Sequence, residues 1–516
     1  MHNLLTIRPS EPEIVELSVS SWFYRNRAIA GFENPARSLY VSIREIVENS
    51  LDSCESISVL PSILVTLEAE EGEESEDVFS ADPQLFHLTV QDNGSGMPKE
   101  NVPRLIGKML TGTKFQIKQS RGTFGLGGSL ALLYGQVTTQ RPIQITTGQL
   151  GSDHYDSLEM RLDIENNTPM IVDENIVPKS MNDHGTTISF SLKGDWLRSK
   201  KRILSYFEQT SVMVPYASIE FETPDDENFS YPRLTEQMPS IPTEMKPHPK
   251  GIDVEILKQM IANTKSRSIV SFLTNSFQQI GRKTAVNFLK FAKIDQDKSL
   301  SNLVLDDLVV MMDALEEYPK FRAPSAESLA PAGPKLLEAG ISRLNPEFVV
   351  VRQRSPNVYS GHPFIIEIGV GYGGDLSPGI TLLRYANRIP LLYDESSDVS
   401  NQVIRNLNLK NYNLKNEDPL LFLVHICSTK VPYKTVGKEY VADVDVVRRE
   451  INLGFMNCLR ELSGLVRKKH RVTRQKQRNN RLAEYYSFIA STLEASQGEP
   501  VPLTKLFPEM EDVTHE

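Results

Sequence analysis

Glu45 and Asn49 are the first residues of this sequence whose types and spacing suggest a reaction. They fall in the stretch 37–56, where apolar residues recur at the spacing of an amphipathic helix. A separation of four places both side chains on one helix face, one turn apart. A carboxylate and an amide so placed can polarise an attacking water molecule and hold a magnesium ion. An ordinary surface helix would carry the same two residues, so the pair needs support from other segments.

A second segment, residues 92–98, follows a predicted strand and has the sequence AspAsnGlySerGlyMetPro. Asp92 at the strand end offers an acceptor suited to an adenine amino group. Gly94 and Gly96 permit backbone turns and the close approach of a flat ligand. A plain β-turn would explain the glycines equally well.

Two further segments complete a candidate nucleotide site. The glycine-rich turn 121–129 leads into an apolar helical run, and a helix N-terminus presents N–H groups to phosphates. It is not a Walker A loop, because the terminal lysine and hydroxyl pair is missing. Lys114 could cap the opposite side of the phosphates. Thr186, in a Gly-Thr pair at a strand start, could join the hydrogen bonds to adenine, although many strands begin in this way.

The bulk properties predict a soluble protein of about three domains. No run of about 18 apolar residues suggests a membrane span, and the N-terminus does not resemble a secretory signal. Three distant cysteines form neither a disulfide framework nor a metal site, so we expect a cytoplasmic protein. The net charge of −10 does not exclude nucleic acid, because the acid is concentrated at 68–77 and basic residues gather at 467–481.

The order of the predicted elements indicates an α+β, multidomain chain. Mixed strands and helices to about residue 231 fit an α/β sandwich. Proline-rich breaks at 232–251 and 321–334 enclose a stretch with only helical signals. Strands follow, and then one or two long helices from about 441 to 496. The predicted units are 1–242, 243–322, 323–496 and a flexible tail at 497–516.

In chain order, the four segments resemble the N, G1, G2 and G3 boxes of the GHKL ATPases, which include gyrase B, MutL, Hsp90 and the histidine kinases. From about Ser21 to Glu450 the chain further resembles the topoisomerase VI B subunits. This resemblance implies a GHKL ATPase domain, a helix-two-turn-helix insert and a transducer domain ending in a long helix. Among the GHKL ATPases, the helical insert favours the topoisomerase VI B subunits, because gyrase B and MutL lack it. The segments that carry the resemblance are 22–40, 248–253, 276–281, 321–329, 361–367, 383–390 and 427–434.

The resemblance also implies roles for individual residues. Glu45 would be the general base, and Asn49 would hold Mg²⁺. Glu48 is the rival base, but its side chain points about 100° away from that of Asn49 around the helix axis. Lys438 would reach the γ-phosphate of ATP, with Lys434 as the alternative. The predicted nucleotide contacts are Asn49, Asp92, Gly94, Gly96, Thr113, Lys114, Gly122, Thr123, Phe124, Gly125, Leu126, Gly127, Gly128, Ser129, Thr186 and Lys438.

The implied function is that of the ATP-binding B subunit of a type IIB DNA topoisomerase. Two such subunits would dimerise on ATP binding and gate the passage of double-stranded DNA. A separate A subunit would cut the DNA, in a heterotetramer of two A and two B chains. The rival functions are a nucleotide-insensitive scaffold and a GHKL ATPase of the chaperone or mismatch-repair type.

The sequence departs from the family pattern at two motifs. The phosphate loop ends GlyGlySer at 127–129 where valine and lysine are expected, so only a hydroxyl remains at Ser129. LeuLysAsnTyr at 409–412 replaces a Trp-Lys-x-Tyr motif that contacts DNA, so its aromatic part is lost. Neither departure removes Glu45 or Asn49.

Overall fold

Two mixed β-sheets organise the chain in our computed structural model. The structure describes residues 18, 21, 25–70, 83–108, 117–122, 127–163, 166–434, 437–498 and 500. The strands of the first sheet are β1 (Ser62–Ala69), β2 (Gln84–Asp92), β3 (Ile143–Gly148), β4 (His154–Asp163), β5 (Thr168–Pro178), β6 (Gly185–Gly194), β7 (Ser218–Glu222) and β8 (Asn228–Tyr231). Their order across the sheet is β5-β4-β3-β6-β2-β1-β7-β8. Neighbours are antiparallel except β1 and β7, which are parallel.

Helices cover one face of this sheet and position the candidate residues. They are α1 (Pro35–Ser56), α2 (Val102–Gly107), α3 (Gly127–Thr139) and α4 (Trp196–Met213). α1 begins at the N-cap Asn34, whose side chain accepts the Arg37 N–H at 2.8 Å. Its apolar residues, including Leu39 and Ile43, are fully buried in the core. The helix predicted at 37–56 is therefore confirmed, as is the antiparallel pairing of the two strands that follow it.

A separate helical unit lies between the two sheets in the sequence. It contains α5 (Val254–Asn263), α6 (Ile269–Ser276), α7 (Arg282–Ala292) and α8 (Leu305–Glu317). These helices bury their own hydrophobic cluster, in which Leu257, Phe272, Phe288 and Met311 are completely covered. The exclusively helical signals between the two proline-rich breaks predicted this unit.

The second sheet belongs to the C-terminal part of the chain. Its strands are β9 (Phe348–Gln353), β10 (Asn357–Tyr359), β11 (His362–Tyr372), β12 (Ile380–Ala386), β13 (Ile389–Pro390) and β14 (Leu420–Ser428). Their order is β10-β11-β14-β12-β13, with β9 also paired to β11. The accompanying helices are α9 (Pro334–Ser342), α10 (Val399–Arg405) and α11 (Asp445–Gln497). α11 is one continuous helix, and Gly454 lets it lie against Ile368 of β11. No helix in the described ranges is both long and apolar enough to cross a membrane.

The C-terminal sheet packs directly on the first domain. One hydrophobic cluster joins residues of α1 and α4 to Ile341 of α9, Tyr385 of β12 and Leu421 of β14. A Cβ atom on Gly340 would lie 1.8 Å from the Val212 carbonyl oxygen, so α9 approaches the end of α4 backbone to backbone. This shared core allows C-terminal residues to reach the candidate site.

Candidate functional site

A cavity of about 420 Å³ brings together residues from all four predicted segments and from the C-terminal part. Its lining includes the predicted residues Glu45, Asn49, Asp92, Gly122, Gly127, Gly128, Ser129, Thr186 and Lys438. Six other predicted contacts lie outside the described residues, namely Thr113, Lys114, Thr123, Phe124, Gly125 and Leu126.

Asp92 borders one end of the cavity, where β2 ends. Its Oδ1 accepts the backbone N–H groups of Gly94 at 2.8 Å and Thr186 at 3.1 Å. The Thr186 hydroxyl lies 3.2 Å from that of Thr147, which is completely buried. Burial raises the pKa of Asp92. These contacts fix a carboxylate and a hydroxyl at the cavity wall, a pair of groups that can bind the polar edge of a purine.

Gly94 and Gly96 are not among the residues that line the cavity, so their predicted contact with a flat ligand stays a prediction. A Cβ on Gly94 would lie 2.2 Å from the Ser53 hydroxyl. Gly96 has φ +63°, and its Cβ would lie 2.2 Å from the Gly148 carbonyl oxygen. The close approach is therefore to other protein segments. Both glycines let the turn after β2 pack tightly against these segments, and this packing fixes the position of Asp92.

Glu45 reaches the cavity from α1 with Arg44 beside it. The Arg44 Nη2 donates to Glu45 Oε1 at 2.5 Å, and its Nε lies 3.5 Å from Glu48 Oε1. Glu48 is buried and does not line the cavity. Burial, together with the nearby Glu45 carboxylate, raises the pKa of Glu48 to about 7. The geometry therefore favours Glu45 over Glu48 as the carboxylate that could meet a bound water molecule.

The N-terminus of α3 lies close against the side-chain ends of Glu45 and Asn49. A Cβ on Gly127 would lie 1.6 Å from Glu45 Oε2, and one on Gly128 would lie 2.8 Å from Asn49 Nδ2. A helix N-terminus attracts phosphate, so this contact would place phosphate groups beside a carboxylate and an amide. Such an arrangement can hydrolyse a phosphoanhydride.

Ser129, the first departure from the family pattern, has a partner inside the protein. Its hydroxyl donates to the Ile106 carbonyl at 2.9 Å, and its side chain is buried. The hydroxyl therefore fastens α3 to α2 at the edge of the cavity.

Lys438 comes to the cavity from the C-terminal part of the chain. It is buried, adopts a left-handed backbone with φ +55°, and its Nζ donates to the Arg121 carbonyl at 2.9 Å. Lys434 is exposed and is not part of the cavity lining. Of the two lysines considered from the sequence, the geometry favours Lys438.

Sequence reasoning missed a buried cluster of charges beside the cavity. Arg121 is 2% exposed and donates to Asp52 at 2.7 Å and to Glu55 at 2.6 Å. Arg388, in the turn between β12 and β13, lies 3.1 Å from Glu55, which also accepts the Tyr216 hydroxyl at 2.6 Å. Burial alone would raise the pKa of Glu55, but Arg121 and Arg388 outweigh it and the pKa is lowered. Nothing in the sequence signals a pairing between such distant segments.

Two family models match the chain. Residues 34–195 match the histidine kinase-, DNA gyrase B- and HSP90-like ATPases, and residues 324–478 match the topoisomerase VI B subunit transducer. The fold and the cavity thus define an ATPase of the GHKL class, as predicted. The B subunit of type 2 DNA topoisomerase 6 from Metallosphaera sedula is 40% identical over 485 residues, covering 93% of this chain and 89% of the relative. The corresponding protein of Sulfurisphaera tokodaii is 38% identical over 486 residues, with the same coverage of both chains. The chain belongs to the family of type 2 DNA topoisomerase 6 B subunits.

This membership confirms the resemblance seen in the sequence, and the predicted function of an ATP-dependent type IIB topoisomerase B subunit agrees with it. The ATPase domain of Thermus thermophilus gyrase B is a structural neighbour with a TM-score of 0.40 and 13% identity, covering 90% of this chain and 98% of the neighbour.

Proposed function

We propose that the cavity binds and hydrolyses ATP and that this reaction drives DNA strand passage. One observation carries the proposal. Lys438 from the C-terminal part lines the same cavity as Glu45, Asn49 and Asp92 from the ATPase domain. A contact made only when the γ-phosphate is present would bias the arrangement of the two parts, which is what a switch requires.

Each side chain then has a role in hydrolysis. Asp92 and Thr186 hold the adenine edge. The backbone N–H groups at the start of α3 hold the phosphates, and Lys438 neutralises charge at the γ-phosphate. Glu45 accepts the proton of the attacking water molecule. Arg44 fixes the orientation of that carboxylate through its hydrogen bond of 2.5 Å to Glu45.

Asn49 fits the Mg²⁺ that accompanies ATP in this class. Its side chain lines the cavity one helical turn from Glu45, and the glycine at position 128 leaves room beside its amide. Magnesium usually takes few protein ligands and completes its shell with phosphate oxygens and water. When bound, the ion neutralises charge that develops on the phosphates.

Partners and organisation follow as further parts of the proposal. We propose that two B chains dimerise on ATP binding and assemble with two A chains that cut DNA. We also propose units at 1–242, 243–322 and 323–496, a tail at 497–516, and a cytoplasmic location. We propose that double-stranded DNA contacts an open pocket along α11 that is lined by Asn413, Arg467, His470, Arg471, Arg474, Gln475 and Arg478. Guanidinium groups in such a row suit a phosphate backbone.

The function is tested by ATP-dependent relaxation of supercoiled plasmid, with this chain mixed with a topoisomerase VI-like A subunit. We expect relaxation by the wild type, and by Glu461→Ala, which removes an exposed carboxylate on α11. Glu45→Ala should bind ATP but neither hydrolyse it nor relax DNA. ATP turnover without relaxation by any A-type partner would overturn the topoisomerase proposal and leave only an ATPase.

A further inference from the structure

The segment 117–121, which leads into the glycine-rich turn and ends at its first residue, is held by hydrogen bonds from four separate downstream parts of the chain. The Met245 N–H donates to the Ile117 carbonyl at 3.0 Å. The Gln119 side chain pairs with Ala330, and the Asn387 side chain pairs with the Ser120 carbonyl. Lys438 donates to the Arg121 carbonyl. We call these four attachments the clamp.

Gln119 forms the centre of the clamp. Its Oε1 accepts the Ala330 N–H at 2.7 Å, and its Nε2 donates to the Ala330 carbonyl at 3.2 Å. The Cys427 thiol at the end of β14 lies 2.9 Å from the same Oε1. Gln119 is 1% exposed and Ala330 is completely buried. One amide therefore satisfies both backbone groups of a buried residue in the linker that precedes α9.

Asn387 attaches the turn between β12 and β13. Its left-handed backbone, with φ +48°, is one that asparagine tolerates. Its Oδ1 accepts the Ser428 N–H at 2.9 Å, and its Nδ2 donates to the Ser428 carbonyl at 2.9 Å. The same Nδ2 donates to the Ser120 carbonyl at 3.1 Å. The side chain is thus fixed to the C-terminal sheet on one side and to the clamped segment on the other.

The clamped segment is also part of the nucleotide cavity, because Lys118, Gln119 and Ser120 line it. A nucleotide that shifts these residues also moves the linker at Ala330 and the turn at Asn387. We propose that Gln119 and Asn387 are positioning residues that transmit nucleotide binding to the C-terminal domain, by a route that does not depend on Lys438 touching the γ-phosphate. This inference rests on the proposed function only in that the cavity binds ATP.

Two near-isosteric variants test the proposal. Gln119→Met keeps the length of the side chain but removes both bonds to Ala330. Asn387→Asp keeps the acceptor for the Ser428 N–H and tolerates the left-handed backbone, but it removes the donor to the Ser120 carbonyl together with the donor to the Ser428 carbonyl. Tyr385→Phe is the matched control, because it removes a partly buried hydrogen bond of 3.0 Å to the Gln209 carbonyl that also joins the two domains but does not touch the clamp.

The measurement is backbone hydrogen exchange in 329–333 and 386–390 of the full-length protein, with and without a non-hydrolysable ATP analogue. In the wild type and in Tyr385→Phe, we expect the analogue to slow exchange about five-fold or more, the low end of typical coupling between sites. Both clamp variants should bind the analogue and lose most of this response.

An unchanged response in clamp variants that bind the analogue would overturn the proposal, as would a wild type without any response. Asn387 does not line the cavity. The Asn387→Asp variant should therefore leave nucleotide binding itself unaffected. If Gln119→Met fails to fold, as judged by its melting curve, the response of Asn387→Asp alone decides whether the proposal stands. The exchange experiment needs no A subunit, so it can fail independently of the proposed topoisomerase function. A wild type that shows the exchange response but never relaxes DNA would contradict strand passage and leave the proposed coupling intact.

Discussion

Replacing Gly127 by alanine should disable hydrolysis while leaving the fold in place. The new methyl group would lie 1.6 Å from Glu45 Oε2 and 2.3 Å from its Cδ. Real Cβ contacts are not found under 3.0 Å, so the carboxylate or the start of α3 must move by more than an ångström. A misplacement of about 1 Å at a reacting group can cost about a hundred-fold in rate. We therefore expect kcat for ATP to fall about a hundred-fold, or about 2.7 kcal/mol in the barrier.

Two other glycines provide the comparison. Gly464 on α11 has no neighbour within 4 Å of its would-be Cβ, so Gly464→Ala should keep kcat and stabilise the helix by about 0.5–1 kcal/mol. Gly128→Ala meets only the end of the Asn49 side chain at 2.8 Å, and its loss should be smaller than that of Gly127→Ala.

The assay is steady-state ATP turnover at fixed Mg²⁺, with nucleotide affinity measured separately by a fluorescent ATP analogue. A wild-type kcat in Gly127→Ala would refute the assignment of Glu45 as a base that works from a fixed position. A loss of affinity without loss of kcat would instead assign the contact to nucleotide binding.

Three further predictions address the rest of the site. Asp92→Asn should weaken ATP binding about ten-fold or more, because a charge-assisted hydrogen bond is worth about 1.5–3 kcal/mol; unchanged affinity by calorimetry would contradict its role. Lys438→Met should lower kcat while Lys434→Met should not, and the reverse order would reassign the lysine. Glu55→Gln should destabilise the protein by about 3–5 kcal/mol in denaturant unfolding, because it removes the carboxylate that pairs with both Arg121 and Arg388 and leaves Arg121 with Asp52. Since folding lowers the pKa of Glu55, its stabilisation is present above about pH 4.3 and is lost as the pH falls through the folded value, so the variant should lose that acid dependence.

The sequence was sufficient for the parts of the site that depend on regular geometry. On a helix, a separation of four puts Glu45 and Asn49 on one face, and the same geometry turns Glu48 away. The glycines at 127 and 128 could be placed before α3 because an apolar helical run follows them. The candidate nucleotide site could then be recognised from the order of the four motifs in the chain, without knowledge of tertiary contacts.

Contacts between distant segments could not be predicted in this way. Arg388 and Gln119 have no periodic pattern around them that reveals burial, and a charged or amide side chain usually indicates a surface. Lys438 and Lys434 could not be separated, because the left-handed turn at Lys438 is not encoded by its residue type. Gly94 and Gly96 show the converse limit: a glycine indicates that something approaches closely, but not whether it is a ligand or another backbone.

The two halves of the chain depend on each other at the nucleotide site. Without the residues after 323, Glu55 would lose Arg388, and the Gln119 amide would lose Ala330. Leu421 and Leu423 belong to the same hydrophobic cluster as the apolar residues of α1, so their removal would take apolar side chains out of that shared core. A domain that hydrolysed ATP independently would need none of these contacts. Because these contacts also shape the cavity, a rearrangement of the C-terminal sheet would disturb it, which supports the proposed coupling through the packing as well as through Lys438.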